Sequence, residues 1–264
     1  MEIKNNQASA KIAFQGAHIY EYKRKGEDDL LWLSEISEFK EGVAIRGGIP
    51  ICWPSFGMNN PTLPQHGFAR TSEFEHIHTK EIDADTTQVL LCLVDNATTR
   101  KLWDYKFELD VLFTISNTLK IELTTRNLDT KPFTITQALH SYFAVSNIEN
   151  IKIYGLENKP YFDALQEKTF IQKGVIEISE EFDNVYQNVD KPLVLQDKER
   201  EIKLKAQGSS SVVVWNPWIE KCSRMSAMKK DAYKEFVCIE TANAFDDFKV
   251  LEPQESHTLS LEII

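Results

Sequence analysis

The chain predicts an all-β protein, a large antiparallel β-sandwich with only a few short helices. Three observations carry this. Short alternating or wholly apolar segments recur along the 264 residues, turn residues separate them, and almost no helix-period stretch of any length intervenes. The segments at 10–14 and 17–23 alternate, and 30–33 is continuously apolar. Strands are then expected at 74–79, 88–94, 107–116 and 118–126. The same pattern marks 133–144, 151–154, 175–178, 202–206, 211–215, 236–240 and 258–263. Helix is expected only at 98–103 and at 227–235, where Lys and Glu are dense. With no internal repeat and no Pro/Gly/Ser linker, one domain over 1–264 is the economical expectation.

Composition narrows the function. Apolar residues at 42% and aromatics at 11% describe an ordinary globular chain, and 30 basic against 40 acidic residues leave a net charge of −10. That balance argues against nucleic acid or an anionic membrane as partner, so an anionic ligand would need a local basic pocket. The N-terminus lacks an apolar core of signal-peptide length, and runs such as VLLCLV are too short to span a bilayer. A cytoplasmic protein is expected. Cys52, Cys92, Cys222 and Cys238 are scattered without CxxC spacing and read as reduced thiols. The sequon at Asn96 is idle without secretion.

The segment 42–70, GVAIRGGIPICWPSFGMNNPTLPQHGFAR, interrupts the strand rhythm with nearly half of the chain's prolines and half of its glycines. A long irregular segment in a compact domain is usually functional. Arg46 and Arg70 bracket it, with Gln65 and His66 just before Arg70, and guanidinium groups grip phosphate or carboxylate in a planar, bidentate way.

Three strand-like stretches carry titratable groups. In FTITQALHSYFAVSN, period-two alternation puts His140 on a face with Thr134, Thr136, Ala138, Tyr142 and Ala144. That face suits the floor of a polar groove, although a lone strand histidine is more commonly structural. In VCIETA, Glu240 is an acid in an apolar strand. It is either an edge charge reaching water or a partly desolvated general base. Asp183, in the acidic SEEFDNVYQN, reads by itself as a residue of a solvated turn. Trp215 and Trp218 could stack on sugar faces, but such residues are more often core. His76 and His78 would share a strand face, yet no third ligand lies near them, so no metal is expected. Dinucleotide, P-loop and serine-hydrolase motifs are all missing.

With RGGIPICWPSFG, PQHGFAR, ALHSYF, FDNVY, VWNPW and CIETAN in this order, the chain resembles the hexose-6-phosphate mutarotases. These are the glucose-6-phosphate 1-epimerases of the galactose-mutarotase-like superfamily, and the match runs over 42–243. The resemblance implies a supersandwich with an open, cofactor-free groove. It implies His140 and Glu240 as catalytic residues, and Arg46, Gln65, His66, Arg70 and Asp183 as substrate-binding ones. It also implies a hexose 6-phosphate as substrate, and nothing demands more than a monomer. The segment AMKKDAY is more basic than the resemblance leads one to expect. In the implied reaction, Glu240 takes the C1 hydroxyl proton while protonated His140 protonates the ring oxygen. After rotation about C1–C2 the ring closes with the roles reversed. A non-catalytic sugar-phosphate sensor, a mutarotase of free aldoses, and a glycosidase using Asp183 and Glu240 are the alternatives.

Overall fold

The computed structural model describes all residues of 1–264 except Asn59 and Glu199. Two eight-stranded antiparallel sheets dominate it. The first runs, in spatial order, through Ile151–Tyr154, Leu193–Asp197, Arg200–Gln207, Ser256–Ile263, Leu119–Asn127, Phe107–Ile115, Thr86–Val94 and Glu75–Asp83. Its central strands, Phe107–Ile115 and Leu119–Asn127, bury every second residue. This is the pattern of a sheet with one face on the core and one toward solvent.

The second sheet runs through Lys168–Ile171, Pro160–Asp163, Phe182–Tyr186, Ser211–Asn216, Phe236–Asn243, Gln137–Leu139 and Ile51–Cys52, with Tyr142–Ala144 also paired to Phe236–Asn243. Here Ser211–Asn216 and Phe236–Asn243 are buried at every position. One face of these strands meets the core, and the other lies at the bottom of a groove walled by the 42–70 segment. That explains why VVVW and VCIETA read as apolar runs instead of alternating ones. Two small sheets complete the fold, one of Glu2–Lys4, Ala8–Ala13 and His18–Arg24, the other of Lys249–Leu251 with Phe133–Ile135. A single hydrophobic cluster extends from Ile3 to Ile263.

Several expected elements come out differently. The strand over 133–144 is broken into three, because Thr136 N donates to Pro54 O and sends Phe133–Ile135 to the small sheet. Segments 30–33 and 175–178 form only single bridges, Leu31 to Phe143, Leu33 to Gly47 and Ile176 to Ile153. The acidic stretch around Asp183 is the strand Phe182–Tyr186 and not a turn, since its apolar partners lie on the neighbouring Ser211–Asn216. The helix expected at 98–103 is Ala97–Leu102, capped by the Asn96 side chain on the Thr98 and Thr99 amides. The second helix is Trp218–Arg224, upstream of the expected 227–235. There Asn216 Oδ1 accepts from Trp218 N, while Ala227 takes a left-handed backbone and only Ala232–Lys234 coils, as a 3-10 turn. His76 and His78 do not share a face. The register steps from His76 opposite Leu91 to His78 opposite Leu90, so a bulge at Ile77 turns the two rings apart.

Candidate active site

Strand register in the second sheet builds the floor of a groove. Asp183 pairs with Trp215 and Trp215 with Cys238, which pairs with Tyr142, while Val185 pairs with Val213 and Val213 with Glu240. Leu139 faces Thr241 and Tyr142 faces Cys238, so the same register sets His140 opposite Glu240. Residues opposed across an antiparallel ladder share a face. Two rows, Asp183–Trp215–Cys238–Tyr142 and Val185–Val213–Glu240–His140, therefore project to one side. Of these residues, all but Cys238 line one groove of about 420 Å³.

The 42–70 segment supplies the facing wall. Arg46, Phe56, Gly57, Gln65, His66 and Arg70 all line the same groove, so the seven residues singled out from the sequence come together there. Backbone pairing holds the segment in place: Tyr142 N donates to Gly48 O and His140 N to Pro50 O, both from the 137–144 stretch. Farther on, Trp53 N donates to His66 O and Phe68 N to Trp53 O. Gly67 sits at φ +72°, where a Cβ would come within 2.1 Å of Trp53 O, so only glycine permits that approach. His66 is itself left-handed, at φ +65°. Arg70 Nη2 donates to Gln65 O at 2.8 Å, and Arg46 Nη1 reaches Tyr142 Oη at 3.4 Å.

His140 Nε2 stands 3.3 Å from Glu240 Oε1, and Glu240 is only 2% exposed. The imidazole stacks on the Tyr142 ring at 4.9 Å and meets the edges of Trp215 and His66. Burial pushes the Glu240 carboxyl well above the usual carboxylate range, helped by the charge of Asp183. Burial likewise pushes the His140 imidazole down, with His66, Arg70 and Arg46 adding to it. Both effects favour the neutral pair, an imidazole facing a carboxylic acid. That form has the same number of protons as the imidazolium and carboxylate expected from the sequence, and one transfer across the 3.3 Å gap converts one into the other.

His66 is held neutral. Burial, with Arg70 and Arg46 nearby, pushes its pKa down to about 3, and Nδ1 accepts from Gly57 N at 3.2 Å. The proton therefore sits on Nε2, which makes His66 a hydrogen-bond donor. Asp183 is raised by burial and lowered by Lys221, whose Nζ lies 3.5 Å from Oδ2. Lys221, Met225 and Phe245 also line the groove and carry no signal in the sequence, since a solvent-facing helical lysine looks the same. The basic segment 227–233 does not reach it, and Lys229 pairs with Glu35. All four cysteines are free thiols. No described helix is long and apolar enough to cross a membrane.

The family model described as aldose 1-epimerase matches residues 1–263. The chain is 35% identical over 260 residues to a candidate glucose-6-phosphate 1-epimerase of Escherichia coli, covering 97% of this chain and 86% of that protein. It is 33% identical over 246 residues to a protein of the same description from Cenchrus ciliaris, covering 88% and 74%. The crystal structure of a candidate mutarotase from Salmonella typhimurium superposes with a TM-score of 0.93 at 35% identity, covering 99% of this chain and 88% of that one.

Proposed function

The chain belongs to the aldose 1-epimerase family, and from that premise we propose that it interconverts the α and β anomers of D-hexose 6-phosphates, glucose 6-phosphate foremost. One observation supports this most: a buried His–Glu pair and two arginines line a single groove. The relatives described as glucose-6-phosphate 1-epimerases point the same way.

In this reading the phosphate lies between Arg46 and Arg70, with Gln65 beside it, and the sugar ring lies over the sheet. Trp215 offers an apolar face to the ring, while Asp183 accepts from its hydroxyls and His66 Nε2 donates to them. With the proton on His140, Glu240 takes the C1 hydroxyl proton as the imidazolium protonates the ring oxygen. The hemiacetal C1–O5 bond breaks and the aldehyde forms. Rotation about C1–C2 presents the other carbonyl face. The ring oxygen then attacks C1, returns its proton to His140, and the new C1 oxygen takes one from Glu240. Each transfer contributes on the order of 10² to 10⁴-fold, and the remote phosphate contacts position the reacting end. The same reading takes the protein to act as a monomer, since one chain supplies every side chain used, and to meet its sugar phosphate in the cytoplasm.

Anomer exchange of glucose 6-phosphate, followed by NMR with and without protein beside free glucose and galactose, tests the proposal. Acceleration is expected to be far greater for the phosphate than for the free sugars. Acceleration of the free sugars alone would make the protein an aldose mutarotase, and binding without acceleration would make it a sensor.

A further inference from the structure

Lys221 enters the groove from the helix Trp218–Arg224, and the reaction above leaves it unused. Its Nζ lies 3.0 Å from Glu181 Oε1 and 3.5 Å from Asp183 Oδ2, and 5.8 Å from the centroid of the Trp215 ring. We propose that Lys221 is a positioning residue for the sugar, holding Asp183 as an ionised, oriented acceptor for substrate hydroxyls. The inference rests on the epimerase reading for its substrate, but the Lys221–Asp183 relation stands on geometry alone.

Acidic groups crowd Asp183. Glu181 on its own segment and Asp163 on the adjacent strand Pro160–Asp163 both act on it, and its own charge acts on Glu240 across the groove floor. Arg46, Arg70, His66 and His140 lie on the opposite wall or beyond Glu240. The cation directly on Asp183 is Lys221. Burial raises the Asp183 pKa and Lys221 is the first influence opposing it. Without the ammonium, Asp183 would be left among three other acids and would take up a proton sooner. A protonated carboxyl turns one of its acceptor sites into a donor and accepts less strongly at the others. It would also lose the contact that fixes its rotamer. Trp215 ties the arrangement to the stacking surface, because Asp183 and Trp215 are register partners and the Lys221 ammonium lies near the Trp215 ring.

The first test needs no turnover: 13C NMR titration of the Asp183 carboxyl in the wild type, Lys221→Met and Lys221→Arg, with near-UV circular dichroism as the folding control. The Asp183 pKa is expected to rise in Lys221→Met and to return toward the wild type in Lys221→Arg. The kinetic arm uses glucose 6-phosphate. With both groups partly solvated, Lys221→Met is expected to raise KM about 5-fold with kcat held, and to move the acid limb of the pH profile upward. Lys221→Arg restores both, and Lys221→Met adds nothing in an Asp183→Asn background. An unmoved Asp183 titration in folded Lys221→Met overturns the proposal, as does an additive double variant or an arginine variant no better than methionine. A wild type that exchanges no anomers would overturn the epimerase reading instead, with the NMR arm still deciding the Lys221–Asp183 relation.

Discussion

His140, in the break between Gln137–Leu139 and Tyr142–Ala144, meets Glu240 of Phe236–Asn243 at 3.3 Å, and each keeps a second polar atom, His140 Nδ1 and Glu240 Oε2, without a hydrogen-bond partner among the described residues. Unpartnered polar atoms this deep cost stability. A pair that keeps two of them is organised for something other than holding the fold together. Because the two groups share one transferable proton, they act as a unit, and their removal should not be additive.

That coupling sets how the two losses combine. His140→Ala and Glu240→Gln should each lower kcat by about 10² to 10⁴-fold, and the double variant should be scarcely worse than the weaker single one. Anomer-exchange rates for the three proteins, compared as a double-mutant cycle, check this. Independent, multiplying losses would mean that the two side chains do not act on the same step.

The arginines should discriminate substrates without doing chemistry. Losing a charge-assisted contact to phosphate costs about 1.5 to 3 kcal/mol, so Arg46→Ala or Arg70→Ala should raise KM for glucose 6-phosphate roughly 10- to 100-fold. Residual activity on free glucose should stay level. Equal losses on both sugars would assign the arginines to the architecture of the loop.

Gly67 tests whether the 42–70 wall is built by backbone contact. At φ +72° with Trp53 O 2.1 Å from a would-be Cβ, Gly67→Ala should cost about 3 kcal/mol in urea unfolding. It should also weaken sugar-phosphate binding by displacing His66. A variant with wild-type stability would show that the loop relaxes freely there.

Glu240 should trade stability for function in a pH-dependent way. Its folded pKa is raised above the unfolded value by burial. Above the unfolded value, near 4.5, the native state therefore binds more protons than the unfolded one, and this group's contribution falls as pH rises. Glu240→Gln removes that penalty. The variant's melting temperature should gain on the wild type steadily between pH 5 and pH 8 while activity is lost. Parallel melting curves across that range would place the Glu240 pKa near its ordinary value.

Much of this molecule is written locally. The alternation in 107–116, the apolar runs at 211–215 and 236–240 and the Pro/Gly content of 42–70 mark strands and loop through side-chain period and backbone restriction alone, and these act between near neighbours. The motifs around Arg46, Arg70, His140, Asp183 and Glu240 likewise single out residues that prove to line one groove. Tertiary structure decided what local pattern cannot encode. The strand at Asp183 looks like a turn until Ser211–Asn216 pairs with it. The 133–144 segment breaks because Pro54 O, far off in sequence, takes the Thr136 amide. His140 meets Glu240, Lys221 reaches Asp183, and burial moves the first pair's protons only once register and packing bring distant segments together. Pairing over such separations, and the desolvation that follows, depend on the whole fold, and these set the distances and proton affinities on which the chemistry runs.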